Sequence, residues 1–111
     1  MPKIKITRGS GNVFADIGLP DAEEYMTKAK LAYRICDIIE ERKLTQAQAA
    51  KVLGVDQPKV SALVRGRLEG FSIERLLRYL NALGRDVEIV VRPKPQGVKR
   101  AHIRVLSTIE S

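Results

Sequence analysis

Residues 45–66, TQAQAAKVLGVDQPKVSALVRG, constrain the fold of this chain more than any other stretch, because the signals that stop one short helix run straight into those that start the next. Thr45 with Gln48 three positions later reads as a capping box, in which the hydroxyl accepts from an unpaired first-turn amide and the glutamine reaches back to the cap. The helix that follows carries Ala49, Ala50 and Leu53 on one side, and two alanines let a neighbouring helix come close. Gly54 stands where a helix stop needs a positive φ. Asp56 can cap the next helix, and Pro58 is tolerated in a first turn whose backbone donors have no intrahelical partner. The connection is therefore short and rigid.

In the second helix Val60, Leu63 and Val64 recur at three- and four-residue spacing, which predicts one buried stripe and leaves Gln57, Lys59, Ser61, Ala62 and Arg65 to point elsewhere. Those outward positions are mostly hydrogen-bonding or cationic. A glutamine can pair with the N6 and N7 edge of adenine, while lysine and arginine can meet guanine O6 and N7 or phosphate oxygens, so the set suits a major groove. Arg65, Gly66 and Arg67 follow one another where basic groups could grip the flanking backbone. An ordinary helical hairpin with a solvated basic face explains less, since it does not require cap, alanines, glycine, second cap and polar face to agree in register.

With these residues in place, the segment resembles the Cro-type helix-turn-helix of the XRE family of bacterial and phage regulators, on Thr45, Gln46, Ala50, Gly54, Val60, Ser61, Leu63 and Gly66. The resemblance implies a mostly α, lambda-repressor-like DNA-binding domain. It gives Gln46, the residue after the leading threonine, a phosphate contact that steadies the recognition helix, and gives base reading to Gln57, Lys59, Ser61 and Ala62. Two positions depart from the family pattern. Val64 stands where a glutamate is frequent, and Pro58 stands where a side chain often contacts bases, so the base preference does not carry over. The candidate DNA-binding set is Thr45, Gln46, Gln57, Pro58, Lys59, Ser61, Ala62, Arg65 and Arg67.

At 111 residues the chain suffices for one domain with extensions and a modest helical core. Its formal net charge of +7 is the footprint of a polyanionic partner, although ribosomal and membrane-surface proteins share it. The distribution says more. Asp21, Glu23, Glu24, Asp37, Glu40 and Glu41 crowd residues 21–41, whereas residues 51–67 hold Lys51, Lys59, Arg65 and Arg67 against Asp56 alone, so one face is expected to be acidic and the opposite one basic.

A single cysteine, Cys36, excludes an intrachain disulfide and a cysteine-cluster metal site, and between Ile35 and Ile39 it reads as a small buried hydrophobe. His102 stands alone in a basic tail. With no Ser/His/Asp set, apolar carboxylate pair, phosphate loop or metal spacing, no enzyme activity, cofactor or metal is expected. Neither a signal peptide nor a long apolar run is present, which predicts a cytoplasmic protein without a membrane partner.

Upstream, Pro20 and Asp21 open a long helix, with Asp21 as N-cap and Glu24 three positions on, and with Tyr25, Ala29, Ala32, Ile35 or Cys36, and Ile39 along one side. Arg42 and Lys43 suit its C-terminal end. The helix is longer than the two-helix motif requires, so Tyr25, Met26 and Leu31 either meet a partner or pack on the N-terminal segment, readings of equal weight. Downstream, Ser72 is a cap for a helix carrying Ile73, Leu76, Leu77, Leu80 and Leu83 and stopping at Gly84.

Residues 86–92, DVEIVVR, then alternate Val87, Ile89 and Val91 with Glu88, Val90 and Arg92, and Pro93 and Pro95 follow, which predicts a strand. A strand needs a partner: its symmetry mate in a dimer, residues 4–7, or residues 102–106. The dimer is favoured, making Val87, Ile89 and Val91 dimerisation residues and setting two recognition helices about 34 Å apart for a pseudo-palindromic operator.

The resulting partition is an N-terminal arm or leader over 1–20, a helix-turn-helix domain over 21–92 with its motif at 45–66 and dimerisation strand at 86–92, and a basic tail over 93–111. Lys3, Lys5 and Arg8 near one end, and Lys94, Lys99, Arg100 and Arg104 near the other, make either arms that reach DNA or plain solubilising tails. Residues 12–93, with the closing RLLRYLNALGRDVEIVV, also resemble a HigA-like group of short regulators, many of them antitoxins. That resemblance implies a homodimer that represses its own operon and neutralises a RelE-like ribosome-dependent mRNA nuclease. The alternative is a solitary phage- or plasmid-type transcriptional regulator with no toxin partner.

Overall fold

The computed structural model describes residues 22–107, and within them four helices follow one another: α1 (Ala22–Glu41), α2 (Gln46–Leu53), α3 (Gln57–Arg65) and α4 (Ile73–Ala82). The architecture is mostly α, as the sequence predicts. Asp21, the expected cap of α1, lies outside the described residues, as do the leader and residues 4–7.

Residues 28–87 form one compact unit. Its core takes Leu31, Ala32, Ile35, Ile38 and Ile39 from α1, Ala49, Ala50 and Leu53 from α2, Val60 and Leu63 from α3, and Leu76, Tyr79 and Leu80 from α4, with Leu83 just after it. Between α3 and α4, Leu68 and Phe71 are buried as well. The core positions within the helices follow from helical spacing around an inward stripe. The buried side of α1 is centred on Ile35 and Ile38, so Leu31 has a core to enter, contrary to expectation, while Tyr25 and Met26 are half exposed, at 51% and 52%. Cys36 is only half-buried, at the edge of that stripe, and its Sγ lies 3.9 Å from the Leu63 carbonyl oxygen. Burial pushes its thiol above the ordinary value of 9.0.

The helix ends are secured by different devices. α1 stops where Lys43 enters the left-handed region at φ 55°, with the Leu44 amide donating to the Ile39 carbonyl. Lys43 does the work usually left to glycine or asparagine at this position. The C-terminal ends of α1 and α4 are pinned together: Arg42 donates to the Leu83 carbonyl at 3.3 Å, and Arg85 reaches Glu41 at 3.5 Å. Ser72 accepts from the Arg75 amide at the start of α4, which ends at Ala82 with Leu83 as its cap residue and Gly84 at φ 85° just beyond.

The described part of the second unit consists of residues 22–27 and 88–107. Thr27 is buried and donates to the Glu23 carbonyl, while the Glu23 carboxylate accepts from the Ile103 amide and lies 3.9 Å from His102 Nδ1. Residues 95–98 make a turn closed by Lys94 Nζ on the Val98 carbonyl. Among the described residues there is no strand, so the strand expected over residues 86–92 is not confirmed within one chain. The reason is that a ladder needs a second backbone: residues 102–106 exchange no backbone hydrogen bonds with 86–92, and Val87, Ile89 and Val91 are left at the surface.

Candidate nucleic-acid interface

The site is built from the start of α2 and the outer side of α3. At α2 the predicted capping box is complete: the Thr45 hydroxyl accepts from the Gln48 amide at 3.1 Å, and the Gln48 side chain accepts from the Thr45 amide at 2.8 Å. Thr45 is thereby committed to holding the helix end. Gln46, at the first helical position, stays exposed beside the partial positive charge that a helix start presents. The turn between the helices is also as expected, with Gly54 at φ 75° and its amide donating to the Ala50 and Lys51 carbonyls. A Cβ on Gly54 would meet nothing within 4 Å, so only the backbone angle calls for glycine.

The start of α3 differs from the prediction in one respect. Asp56 occupies the N-cap position, with extended backbone at φ −87° and ψ 164°, yet its carboxylate makes no capping hydrogen bond. Pro58, in the first turn, fixes φ there and needs no amide partner. Gly66 closes the helix at φ 78°.

The orientation of α3 also departs from expectation. Val60 and Leu63 are buried, but Val64 is 51% exposed and does not belong to the buried stripe. At the other edge Lys59 is half-buried in its place, because Phe71 lies on that side with its ring centroid 5.0 Å from Lys59 Nζ. At about 100° per residue the outward arc then holds Pro58, Ser61, Ala62 and Arg65, with Gln57 and Val64 along one margin and Lys59 along the other. Gln57, Pro58 and Arg65 are exposed; Ser61 and Ala62 are half-buried.

A shallow groove of about 320 Å³ brings Pro58, Lys59, Ala62 and Arg67 together with Asp56, Glu69, Gly70 and Phe71. Thr45, Gln46, Gln57, Ser61 and Arg65 do not line it. Phe71 is the groove residue that the sequence reading passed over. The signal was present: an apolar residue directly before the Ser72 cap, with Leu76 at the fourth helical position, is the pattern of a hydrophobic staple, and both are buried. Phe71 also meets Tyr79 edge to face, at 6.1 Å between centroids and 78° between planes.

Among the described residues no group of His, Cys, Asp or Glu could hold a metal ion, and no helix is long and apolar enough to cross a membrane.

Comparison with known proteins agrees with this geometry. A solved structure described as an XRE family transcriptional regulator is 54% identical, covers 80% of this chain and all of its own, and superposes with a TM-score of 0.77. A Mycobacterium tuberculosis protein bearing the name antitoxin HigA2 is 31% identical over 61 residues, which are 55% of this chain. The match spans 60% of that relative's length. A family described as a helix-turn-helix domain matches residues 13–92, so α1 to α4 all fall inside the match. On this match and on the solved structure, the chain belongs to the helix-turn-helix family of XRE-type transcriptional regulators.

Proposed function

We propose that the chain is a sequence-specific repressor that reads duplex DNA with α3 and acts as a homodimer on a pseudo-palindromic operator. The observation that carries this reading is the outward arc of α3, where Gln57, Ser61, Ala62 and Arg65 face away from the core on a helix held by two left-handed glycines. Gln57 and Ser61 offer hydrogen bonds to base edges, Ala62 offers a methyl contact, Arg65 and Arg67 offer charge for the flanking phosphates, and Lys59 suits guanine or phosphate. Gln46 at the start of α2 adds a phosphate contact where the helix dipole favours an anion. The exposure of Val87, Ile89 and Val91 in the single chain supports residues 86–92 as the dimer element.

The test is selection of bound duplexes from a random-sequence pool, with Gln57→Ala run beside the wild type at one salt concentration. Enrichment of an inverted repeat with half-sites about one helical turn apart, blurred at one base pair in the variant at a cost of about 1–3 kcal/mol, is the expected result. Salt-sensitive but sequence-blind binding would refute the reading, since it would leave the basic face purely electrostatic.

The likeness to the HigA2 antitoxin supports a finer reading, in which the protein represses its own operon and neutralises a RelE-like toxin. Co-expression with the neighbouring open reading frame separates the two roles. A small basic protein that co-purifies in fixed ratio and is inactive while bound supports the antitoxin, whereas purification of the chain by itself with full operator affinity supports a solitary regulator.

A further inference from the structure

We infer that Phe71 is a positioning residue for DNA reading: its ring holds the Lys59 ammonium at one edge of the recognition helix, so that this cation meets the duplex already oriented. The inference rests on the proposed DNA-binding role of α3 and deepens it. Lys59 Nζ lies 5.0 Å from the Phe71 centroid, within the range over which an ammonium is attracted to a ring face. Phe71 is itself immobilised, 3% exposed and edge-on to buried Tyr79 at 6.1 Å, so the platform beneath the lysine is part of the core. The ammonium is not crowded from the other side, since even a Cβ added at Gly70 would lie 3.7 Å from Nζ, an ordinary van der Waals contact.

A free surface lysine loses most of its rotamer freedom when it binds, and that loss subtracts from affinity. A lysine already lodged on a ring loses less. The same contact shelters the stem, which accounts for Lys59 being half-buried while Gln57 and Pro58 beside it are exposed. Lys59 also shares its groove with Ala62, Arg67 and Glu69. Ala62 belongs to the base-reading set, Arg67 would add charge for a phosphate, and Glu69 would repel a misplaced one. The anchored ammonium therefore contributes orientation as well as charge.

The experiment is a double-mutant cycle on the full chain, with Phe71→Leu, Lys59→Met and the pair, each measured against a selected operator duplex over a range of salt concentrations. Phe71→Leu alone is expected to weaken binding about two- to fivefold, part of the ordering cost of a long side chain that the ring otherwise spares. In the Lys59→Met background the same change is expected to have no effect. Lys59→Met should lower the salt slope by about one, whereas Phe71→Leu should leave it unchanged, because no charge is removed. If Lys59→Met changes neither affinity nor slope, the role of Lys59 in DNA binding fails. If Lys59→Met matters while Phe71→Leu is neutral, tightens binding, or weakens it equally in both backgrounds, the positioning role fails and the DNA reading stands. A measurement independent of any variant's folding is the proton spectrum of the free wild-type protein: ring current should move the Lys59 ε-methylene resonances upfield, and their appearance at ordinary lysine positions would overturn the inference.

Discussion

Two left-handed residues carry opposite lessons about single positions. Gly54 has open space where a Cβ would go, so the cost of replacing it is backbone strain alone. Gly54→Val is expected to lower stability by about 2 kcal/mol while Gly54→Asn costs less, and thermal melting of the two variants checks this. Lys43 adopts φ 55° without being glycine, and nothing in the residue type announced it; the chain must leave α1 and start α2 within four residues, and that geometry overrides local preference. Cys36 supplies the pH dependence. Its thiol is held above 9.0 in the folded chain by burial, so the unfolded chain releases this proton first as pH rises. The stability contribution of the neutral thiol is therefore fully present below pH 9 and is lost as pH climbs through the folded value. Denaturant midpoints measured across this window should fall more steeply for the wild type than for Cys36→Ala.

Among the elements, α2 and α4 were legible almost in full, because cap, stripe and stop all lie in the local sequence: Thr45 with Gln48 and Gly54, Ser72 with Leu76 and Leu80. The boundaries of α3 were equally plain, but its rotation was not. Val60, Leu63 and Val64 share one stripe by spacing, and only Phe71, seven residues beyond Val64 and twelve beyond Lys59, decides that Lys59 rather than Val64 takes the inner edge. Gln57, Ser61, Ala62 and Arg65 are thus readable from periodicity, whereas the place of Lys59 and the platform beneath it depend on tertiary packing. The strand was read from alternation alone, and among the described residues no second backbone pairs with it. In α4 the stripe of leucines hid Tyr79, which is buried with its hydroxyl lacking a hydrogen-bond partner among the described residues. Tyr79→Phe should accordingly be neutral or raise stability by about 1 kcal/mol, a shift that urea unfolding at constant m-value would show.

For the molecule as a whole, the apolar run after α4 carries the proposed homodimer. Val87, Ile89, Val90 and Val91 are all at least a third exposed, an apolar stretch that the proposed pairing with a second copy would cover. Ile89→Asp is expected to leave a folded monomer with much reduced operator affinity, and sedimentation beside a binding isotherm tests it; a dimer of undiminished stability would reject strand pairing. The incomplete start of α3 has a different consequence. Asp56 makes no cap there, while the hydroxyls of Thr45 and Ser72 hold the starts of α2 and α4. Of these three helix starts that first turn is consequently the least guarded against opening, and a phosphate arriving beside it would supply the acceptor that Asp56 does not. The amide of Gln57 should exchange with deuterated solvent quickly in the free protein and slow sharply on a duplex, so that the nucleic acid finishes a piece of folding.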